Sequence, residues 1–524
     1  MTLNKLWNKL SWFNRPSGRL VYLFALFLGA IYPLGLAPLS WWPLLFLSVF
    51  GLAWLLLNVE KQLFWKVTYC YGVGFFAVGA SWVHVSIHQF GNAPLWLSIS
   101  FTAIFVLFLA LFKALVGLLL SLSARYLRTP IIAFPLFWLA ADYVQGNFLT
   151  GFPWLYLGYG LIDSPFSSWL PYIGVSGVSL LSVVIVTTVA LIVFRLLRSE
   201  QDKTVRISSA YTAFALISLI SALTAFSGLS GNNAIRSQSA SIAIVQPNIP
   251  QAEKWNPDRL PEYLNLYDRM TEPLWGAEFI IWPEAAIPAL QHRVENWLKH
   301  WESKAIQANS ELILGIPRYD FNKQRVYASL ASYGAQSYLY DKHHLVPFGE
   351  FVPYEGLLRG LIEFFNLPMS RMAPGKAVQS SFSYEKLNFL PAICYEIAYV
   401  DRFLNANKSK EKQAVNVILT VSNDAWFGRS WGPHQHYQIA RARARELSMP
   451  LIRATNNGIS AVVDAKGNTL KQLPHYEASS FVNTFEFNEY DSLYLKHNNF
   501  IVILLILAAQ LFLFLCERIL SKNP

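Results

Sequence analysis

Long apolar runs separated by short polar turns fill the first 228 residues, and crossing a bilayer takes roughly 20 apolar residues. Candidate spans fall at 20–37, 41–58, 67–87, 96–121, 130–148, 172–194 and 207–228, with an eighth at 498–516. The third and fifth are the least apolar, because they carry His84 and Asp142. Between 229 and 497 no apolar run reaches span length. The pattern there shortens to β-branched or apolar stretches at Ser241–Val245, Phe279–Trp282, Leu312–Ile316, Val326–Tyr333, Ser337–Tyr340, Phe389–Cys394, Val417–Val421, Leu451–Ala454 and Ile459–Val463. Helical periodicity interleaves at 259–273, 291–308 and 434–448, an alternation that predicts an α/β domain around buried sheet. The expected architecture is a polytopic α-helical membrane domain of eight transmembrane helices plus a soluble α/β domain. Its divisions are 1–228 with seven helices, 229–497 as the soluble domain, and 498–524 as the eighth helix and a short tail.

Composition agrees with the pattern. Of 524 residues, 54% are hydrophobic and only 14% charged, against about a quarter charged in soluble proteins. This excludes a disordered or fibrous chain and makes an integral membrane protein the default. The net charge of +10 is explained by its placement rather than by nucleic acid. Lys5, Lys9, Arg15 and Arg19 precede span one; Lys61 and Lys66 follow span two; Arg125 and Arg128 follow span four; Arg195, Arg198, Lys203 and Arg206 follow span six; Arg518 and Lys522 end the chain. The intervening loops, including 150–171, carry no Lys or Arg. Basic residues in every second loop predict two cytoplasmic termini and a 229–497 domain on the outer side. The first apolar run is long for a signal peptide and a second span follows at once, so an uncleaved anchor is expected.

Three segments put an ionisable residue at the end of an apolar strand: Trp282-Pro-Glu284, Tyr340-Asp-Lys342 leading on to Gly349-Glu350, and Ile393-Cys394-Tyr395-Glu396. Strand ends of α/β sheets are where reactive groups are displayed. The residue types suggest nucleophilic chemistry, since a thiol needs a base or a nearby cation to become reactive. Glu284 can take the thiol proton, and Lys342 can hold the thiolate and a tetrahedral oxyanion. Each residue also has a plainer reading, as a cap, a packed thiol or a solvated cation, and spacing alone leaves these open. The other cysteines, Cys70 and Cys516, lie in apolar runs, so neither a disulfide framework nor a cysteine zinc site is expected.

The order of these motifs resembles the Glu-Lys-Cys signature of the nitrilase (carbon–nitrogen hydrolase) superfamily. The longer wording is similar to its membrane-embedded branch, the bacterial apolipoprotein N-acyltransferases. Further matches are Val245-Gln246 with Asn248-Ile-Pro-Gln251, Lys254-Trp255, Val421 to Gly428, Gly432-Pro-His-Gln-His436, Arg453 to Gly458, and Gly151-Phe-Pro-Trp-Leu155 with Leu157-Gly-Tyr159. The soluble domain is then expected to be a nitrilase-like αββα sandwich. The resemblance implies Cys394 as nucleophile, Glu284 as general base and Lys342 as oxyanion stabiliser. Glu350 would be a second essential carboxylate steering Lys342 or the incoming amine. Tyr395 and Glu396 would shape the pocket, Trp255 would sit on a mobile arm over the entrance, and 422–427 would wall the site. Many relatives carry Tyr-Asn-Ser before the lysine where this chain has Tyr327-Ala-Ser329, so no oxyanion role is assigned to that strand.

The implied reaction moves an acyl chain from the sn-1 position of a phospholipid, commonly phosphatidylethanolamine, through a Cys394 thioester. The acceptor is the α-amino group of the N-terminal S-diacylglyceryl-cysteine of an apolipoprotein. No cofactor, metal or nucleic acid is implied, and a monomer in the bacterial inner membrane with its catalytic domain on the periplasmic side is expected. Two alternatives share the sequence features: a membrane-tethered nitrilase-type amidase, and a transporter or receptor with an inactive outer domain.

Five further features are open to a structural or a functional reading. His434 and His436 sit two residues apart on a helix, which does not favour joint metal ligation, so packing or capping is expected. Arg441, Arg443 and Arg445 fit a lipid phosphate or a solvated helix face with Glu446. Lys113 is expected to snorkel to the cytoplasmic side, while Asp142 marks either function or a buried partner. The aromatic and aliphatic residues of 351–365 (Phe351, Tyr354, Leu358, Leu361, Ile362, Phe364, Phe365) fit an arm dipping into the membrane interface or an ordinary buried helix.

Overall fold

The computed structural model describes residues 18–198 except 92 and 128, then 234–351, 371–406 and 414–498, and a few positions between 500 and 511. The expected seventh span, most of the eighth, and all of the 351–365 arm except Phe351 lie outside the described residues. The chain divides into two compact units. The first takes residues 1–81, 99–230 and 493–524; the second takes 82–98 and 231–492.

In the first unit an apolar α-helix stands at each of the first six expected spans: α1 (Arg19–Ile31), α2 (Pro43–Asn58), α3 (Phe64–Gly79), α4 (Leu95–Ser123), α5 (Phe134–Asn147) and α6 (Leu170–Arg198). Among the described residues two helices are long and apolar enough to cross a membrane, or three if the bent pair Lys61–Gly79 and Val83–Phe90 counts as one. The expectation of eight transmembrane helices therefore stands only in part. Prolines explain several short helices: Pro43 opens α2 and Pro135 opens α5, positions where a missing N–H costs nothing. Helices α1 and α3 approach closely through Gly29 and Gly74, where a Cβ would fall 1.9 and 2.0 Å from the partner's carbonyl oxygens. Small residues permit such contacts between apolar helices.

Lys113 does not snorkel. It is 2% exposed, and its Nζ lies 2.8 Å from Asp142 Oδ1 and 4.1 Å from the centre of the Trp138 ring. A carboxylate on α5 within reach, and aromatic faces around it, satisfy the ammonium without a path to water. Asp142 thus has the buried partner that was one of its two readings.

The second unit holds two six-stranded sheets. One runs β12-β1-β2-β3-β4-β5 and the other β11-β10-β9-β8-β7-β6. Their strands are β1 (Arg236–Gln246), β2 (Phe279–Ile281), β3 (Glu311–Asp320), β4 (Arg325–Tyr333), β5 (Tyr338–Asp341), β6 (Phe382–Tyr384), β7 (Leu387–Ile393), β8 (Val415–Ser422), β9 (Leu451–Thr455), β10 (Ala461–Val463), β11 (Thr469–Gln472) and β12 (Ser479–Glu489). Strands β1-β2-β3 are parallel, as are β7-β8-β9. Alternation along β1 explains the layering. Ile242 and Ile244 join Phe389, Val417, Leu419 and Ile452 between the sheets. Ala243 and Val245 face Tyr263, Tyr267, Leu298 and Trp301, which lie on α7 (Leu260–Thr271) and α8 (Glu295–Gln307). Helix α9 (Gly432–Leu447) lies over β9, where the side chain of Arg453 meets His436.

All nine expected strands and all three expected helices are present. Strands β6, β11 and β12 were not read from the sequence, because β11 is exposed at every position and much of β12 faces out.

Two predictions follow from buried charges. Removing one partner of Lys113–Asp142 leaves an unpaired ion, costing about 3–5 kcal/mol. Asp142→Ala is therefore expected to shorten the half-life of the detergent-solubilised protein sharply, and Lys113→Met with Asp142→Leu to restore most of it. In the second unit, Glu311 is fully buried with Oε1 unpaired among the described residues, and burial pushes its carboxyl up to about 7. The folded state binds this proton more tightly than the unfolded one, so the associated stability is complete below about pH 4.5 and is lost as pH rises through 7. Glu311→Gln is expected to raise the melting temperature at pH 8 and to flatten its fall between pH 5 and 8.

Candidate active site

The parallel strands β2 and β7, and β5 alongside its sheet, end on one side of the sandwich, and each delivers one candidate residue there. Glu284 follows β2, Lys342 follows β5 and Cys394 follows β7. Lys342 is fully buried, and its Nζ donates to Glu284 Oε1 at 3.1 Å and to Glu350 Oε1 at 2.6 Å. Burial alone would depress this ammonium. The carboxylates of Glu284 and Glu350, together with Cys394, outweigh it and hold Lys342 well above the usual lysine range. An ammonium has three N–H donors, so two go to carboxylates and one is left over among the described contacts.

The carboxylates are fixed at their second oxygens too. Glu284 Oε2 accepts from the backbone N–H of Asn423 at 2.9 Å, and Glu350 Oε2 from that of Val346 at 2.7 Å. Burial, with Glu284 nearby, pushes the Glu350 carboxyl above its ordinary range despite the pull of Lys342. Both Glu350 oxygens are thus engaged, one by the Lys342 ammonium and one by the Val346 N–H.

Cys394 is 9% exposed and sits at φ +53°, a left-handed conformation rare outside glycine and frequent at functional sites. Burial pushes its thiol far up; Glu284 and Asp424 add to this, while Lys342 and a Ser422 hydrogen bond oppose it. The balance of these influences favours the protonated thiol. Glu396, fully buried, ties the Lys342 loop to the Cys394 turn. It accepts from Tyr340 Oη at 2.8 Å, from the N–H groups of His343 and His344 at 2.7 and 3.1 Å, and from that of Ile393 at 2.8 Å. Tyr395 is half-buried against Tyr399. Trp255 is half-buried after the short turn Gln251–Lys254, its indole N–H enclosed and unpaired among the described residues.

Asp424–Phe427 forms a short turn after β8. Residues 82–90, which belong to the same unit, cover it: Ser86 Oγ donates to the Trp426 carbonyl at 2.7 Å, Phe90 meets Trp426, and Trp82 meets Phe427.

Of the surrounding residues, His436 carries packing or capping as its expected reading and Lys254 lies in a motif of the family resemblance, but the residue pattern places neither at the site. Lys254, fully buried, donates to the backbone oxygen of Glu284 at 3.3 Å, and burial pushes its amine down to about 8. Asp424, His436 and Arg453 form a buried cluster beside Cys394. Their motifs were quoted as family matches, but nothing in the residue pattern joins a turn, a helix and a strand to one point. Cys394, Asp424 and His436 are the one group of three potential metal ligands among the described residues. They do not fit a cation, because Arg453 Nη2 lies between Asp424 Oδ2 (2.7 Å) and His436 Nδ1 (3.0 Å).

His434 is half-buried against His475. Arg443 of α9 is not part of a solvated face: it is 2% exposed, pairs with Glu446 and donates to the carbonyls of Ile397 and Ala398. Arg441 and Arg445 are half-buried, and Arg441 donates to the carbonyl of Gly467.

Residues 28–188 match the family model described as apolipoprotein N-acyltransferase N-terminal domain, and 241–489 match that of carbon-nitrogen hydrolase. The apolipoprotein N-acyltransferase of Vibrio cholerae is 39% identical over 471 residues, covering 87% of this chain and 89% of the relative. Those of Photobacterium profundum (38% over 472 residues, 88% of each chain) and Haemophilus influenzae (35% over 464 residues, 87% of each) are similar throughout. With both units matched and the similarity spanning most of each protein, this chain belongs to the apolipoprotein N-acyltransferase family, membrane enzymes of lipoprotein N-acylation.

Proposed function

We propose that Glu284, Lys342 and Cys394 carry out this acyl transfer by a two-step, ping-pong route through a thioester. The observation that carries the reading is the fully buried Lys342 ammonium, bonded to Glu284 at 3.1 Å and electrostatically coupled to Cys394. In the first half-reaction Glu284 accepts the thiol proton as the sulfur attacks the sn-1 ester carbonyl of a phospholipid. Because the thiol is protonated at rest, proton transfer accompanies attack. The remaining N–H of Lys342 stabilises the tetrahedral oxyanion. The ester C–O bond breaks, the leaving oxygen takes the proton back from Glu284, and a lysophospholipid departs. In the second half-reaction the neutral α-amine of an S-diacylglyceryl-cysteine attacks the thioester carbonyl. Glu284 takes a proton from its nitrogen, the C–S bond breaks, and Cys394 recovers its proton.

Glu350 acts by holding Lys342, and Glu396 by fixing the two backbone turns that carry Lys342 and Cys394. Tyr395 and Trp255 line the approach, with Trp255 on an arm that moves over it. The donor is phosphatidylethanolamine and the acceptor a diacylglyceryl apolipoprotein. The enzyme works as a monomer in the bacterial inner membrane, with both termini cytoplasmic and 229–497 on the periplasmic side. The alternating basic loops support that orientation. An amidase would share the first step but release a free acid and ammonia, so the products separate the two.

Intact mass of the full-length protein purified from membranes is expected to show an acyl adduct that hydroxylamine removes and Cys394→Ala lacks. Glu284→Gln is expected to slow adduct formation by about 10²–10⁴-fold. Because Glu350 contacts Lys342, Glu350→Ala should also fail to form the adduct. Its accumulation instead would move Glu350 to the amine step, and an unmodified wild-type protein competent in transfer would overturn the thioester route.

A further inference from the structure

Behind the sulfur, the backbone of Cys394 is held by a chain of buried polar groups. Its carbonyl oxygen lies 3.1 Å from His436 Nε2. His436 Nδ1 is 3.0 Å from Arg453 Nη2 and 3.0 Å from Asp424 Oδ1. Arg453 Nη2 is 2.7 Å from Asp424 Oδ2, and the Ser422 hydroxyl donates to Asp424 Oδ1 at 2.7 Å. His436, Arg453, Asp424 and Ser422 are all fully buried.

Nε2 carries a proton, because a carbonyl can only accept. Nδ1 meets both a donor, Arg453 Nη2, and an acceptor, Asp424 Oδ1, so this side of the ring is held whether or not Nδ1 carries a proton. Burial and the adjacent guanidinium depress His436 below its usual range, while Asp424 opposes them. Asp424, held well below the carboxylate range by Arg453 and His436 despite burial, is the counter-ion that keeps Arg453 in place.

We infer that His436 is a positioning residue for the nucleophile: its Nε2–H holds the Cys394 carbonyl, and Arg453 with Asp424 holds the ring in place from its other nitrogen. The inference rests on Cys394 being the nucleophile. A left-handed φ in a residue with a side chain persists only when its surroundings over-determine it. The peptide after Cys394 is planar, so anchoring its oxygen fixes that plane and the direction in which the sulfur leaves the strand. Three separate elements, α9, β9 and the turn after β8, converge on this one bond. Removing it frees the turn to relax, and a displacement near 1 Å at a reacting atom costs about 10²-fold in rate.

The test compares two variants of the full-length enzyme in phospholipid vesicles, reading the single-turnover rate of thioester formation, the KM for phospholipid and the melting temperature. His436→Gln places an amide N–H near the position of Nε2 and is expected to retain most of the rate. His436→Asn reaches only to the Nδ1 position and is expected to lose about 10²-fold in acylation rate with KM little changed. Equal losses in both variants that track the melting temperature would overturn the inference, as would unimpaired acylation in His436→Asn. Should either variant fail to fold, ¹⁵N spectra of the histidine-labelled wild-type enzyme decide: a ring protonated at Nε2 is expected, and a neutral ring whose one proton sits on Nδ1 overturns it. Acylation that survives Cys394→Ala would instead defeat the underlying assignment of the nucleophile, so the two failures are distinguishable.

Discussion

One buried ammonium shared by two carboxylates organises the soluble unit. Lys342 has no exposed surface, and an unpaired ion there would be very costly. Glu284 on one side and Glu350 on the other offset that cost, and each carboxylate is then anchored by a backbone N–H from a different loop. The ion cluster therefore fixes the ends of β2, β5 and β8 relative to one another. Cys394 enters this field from the end of β7, where both Glu284 and Lys342 act on its thiol electrostatically.

Backbone groups do much of the positioning. Glu396 accepts hydrogen bonds from N–H groups on both sides of the site, which joins the segment after Lys342 to the strand before Cys394. Lys254 holds the main-chain oxygen of Glu284, where the next residue, Ala285, also has a positive φ of 45°. Conformations that cost energy in isolation are retained because charged, buried partners hold them. The same economy appears in the helical unit, where Asp142 and Lys113 neutralise each other in apolar surroundings.

Much of this was legible in the sequence, for physical reasons. Strands such as Val415–Ser422 are buried on both faces and read as continuous apolar runs, so their ends, and hence the candidate residues, could be located. Edge strands such as Thr469–Gln472 have no such signature, since every side chain faces out. Residues whose meaning depends on a long-range partner were harder. Lys113 looks like a snorkelling lysine until Asp142 is found beside it. Arg443 looks like a solvated cation until the backbone carbonyls of Ile397 and Ala398 are found at its tip. The packing expected for His436 does not reveal its partners, and Arg453 gives no signal of its own, since a helix and a strand make one site only after the sheet has formed.

The central claim is that the Lys342 ammonium both organises the site and stabilises the oxyanion. The most direct measurement is the single-turnover rate of Cys394 acylation in Lys342→Met, made on full-length protein whose melting temperature is measured alongside. Mutating a single oxyanion donor typically costs 10²–10³-fold; the account predicts a loss of at least about that size even where the fold is retained. A Lys342→Met enzyme that acylates at nearly the wild-type rate would contradict it.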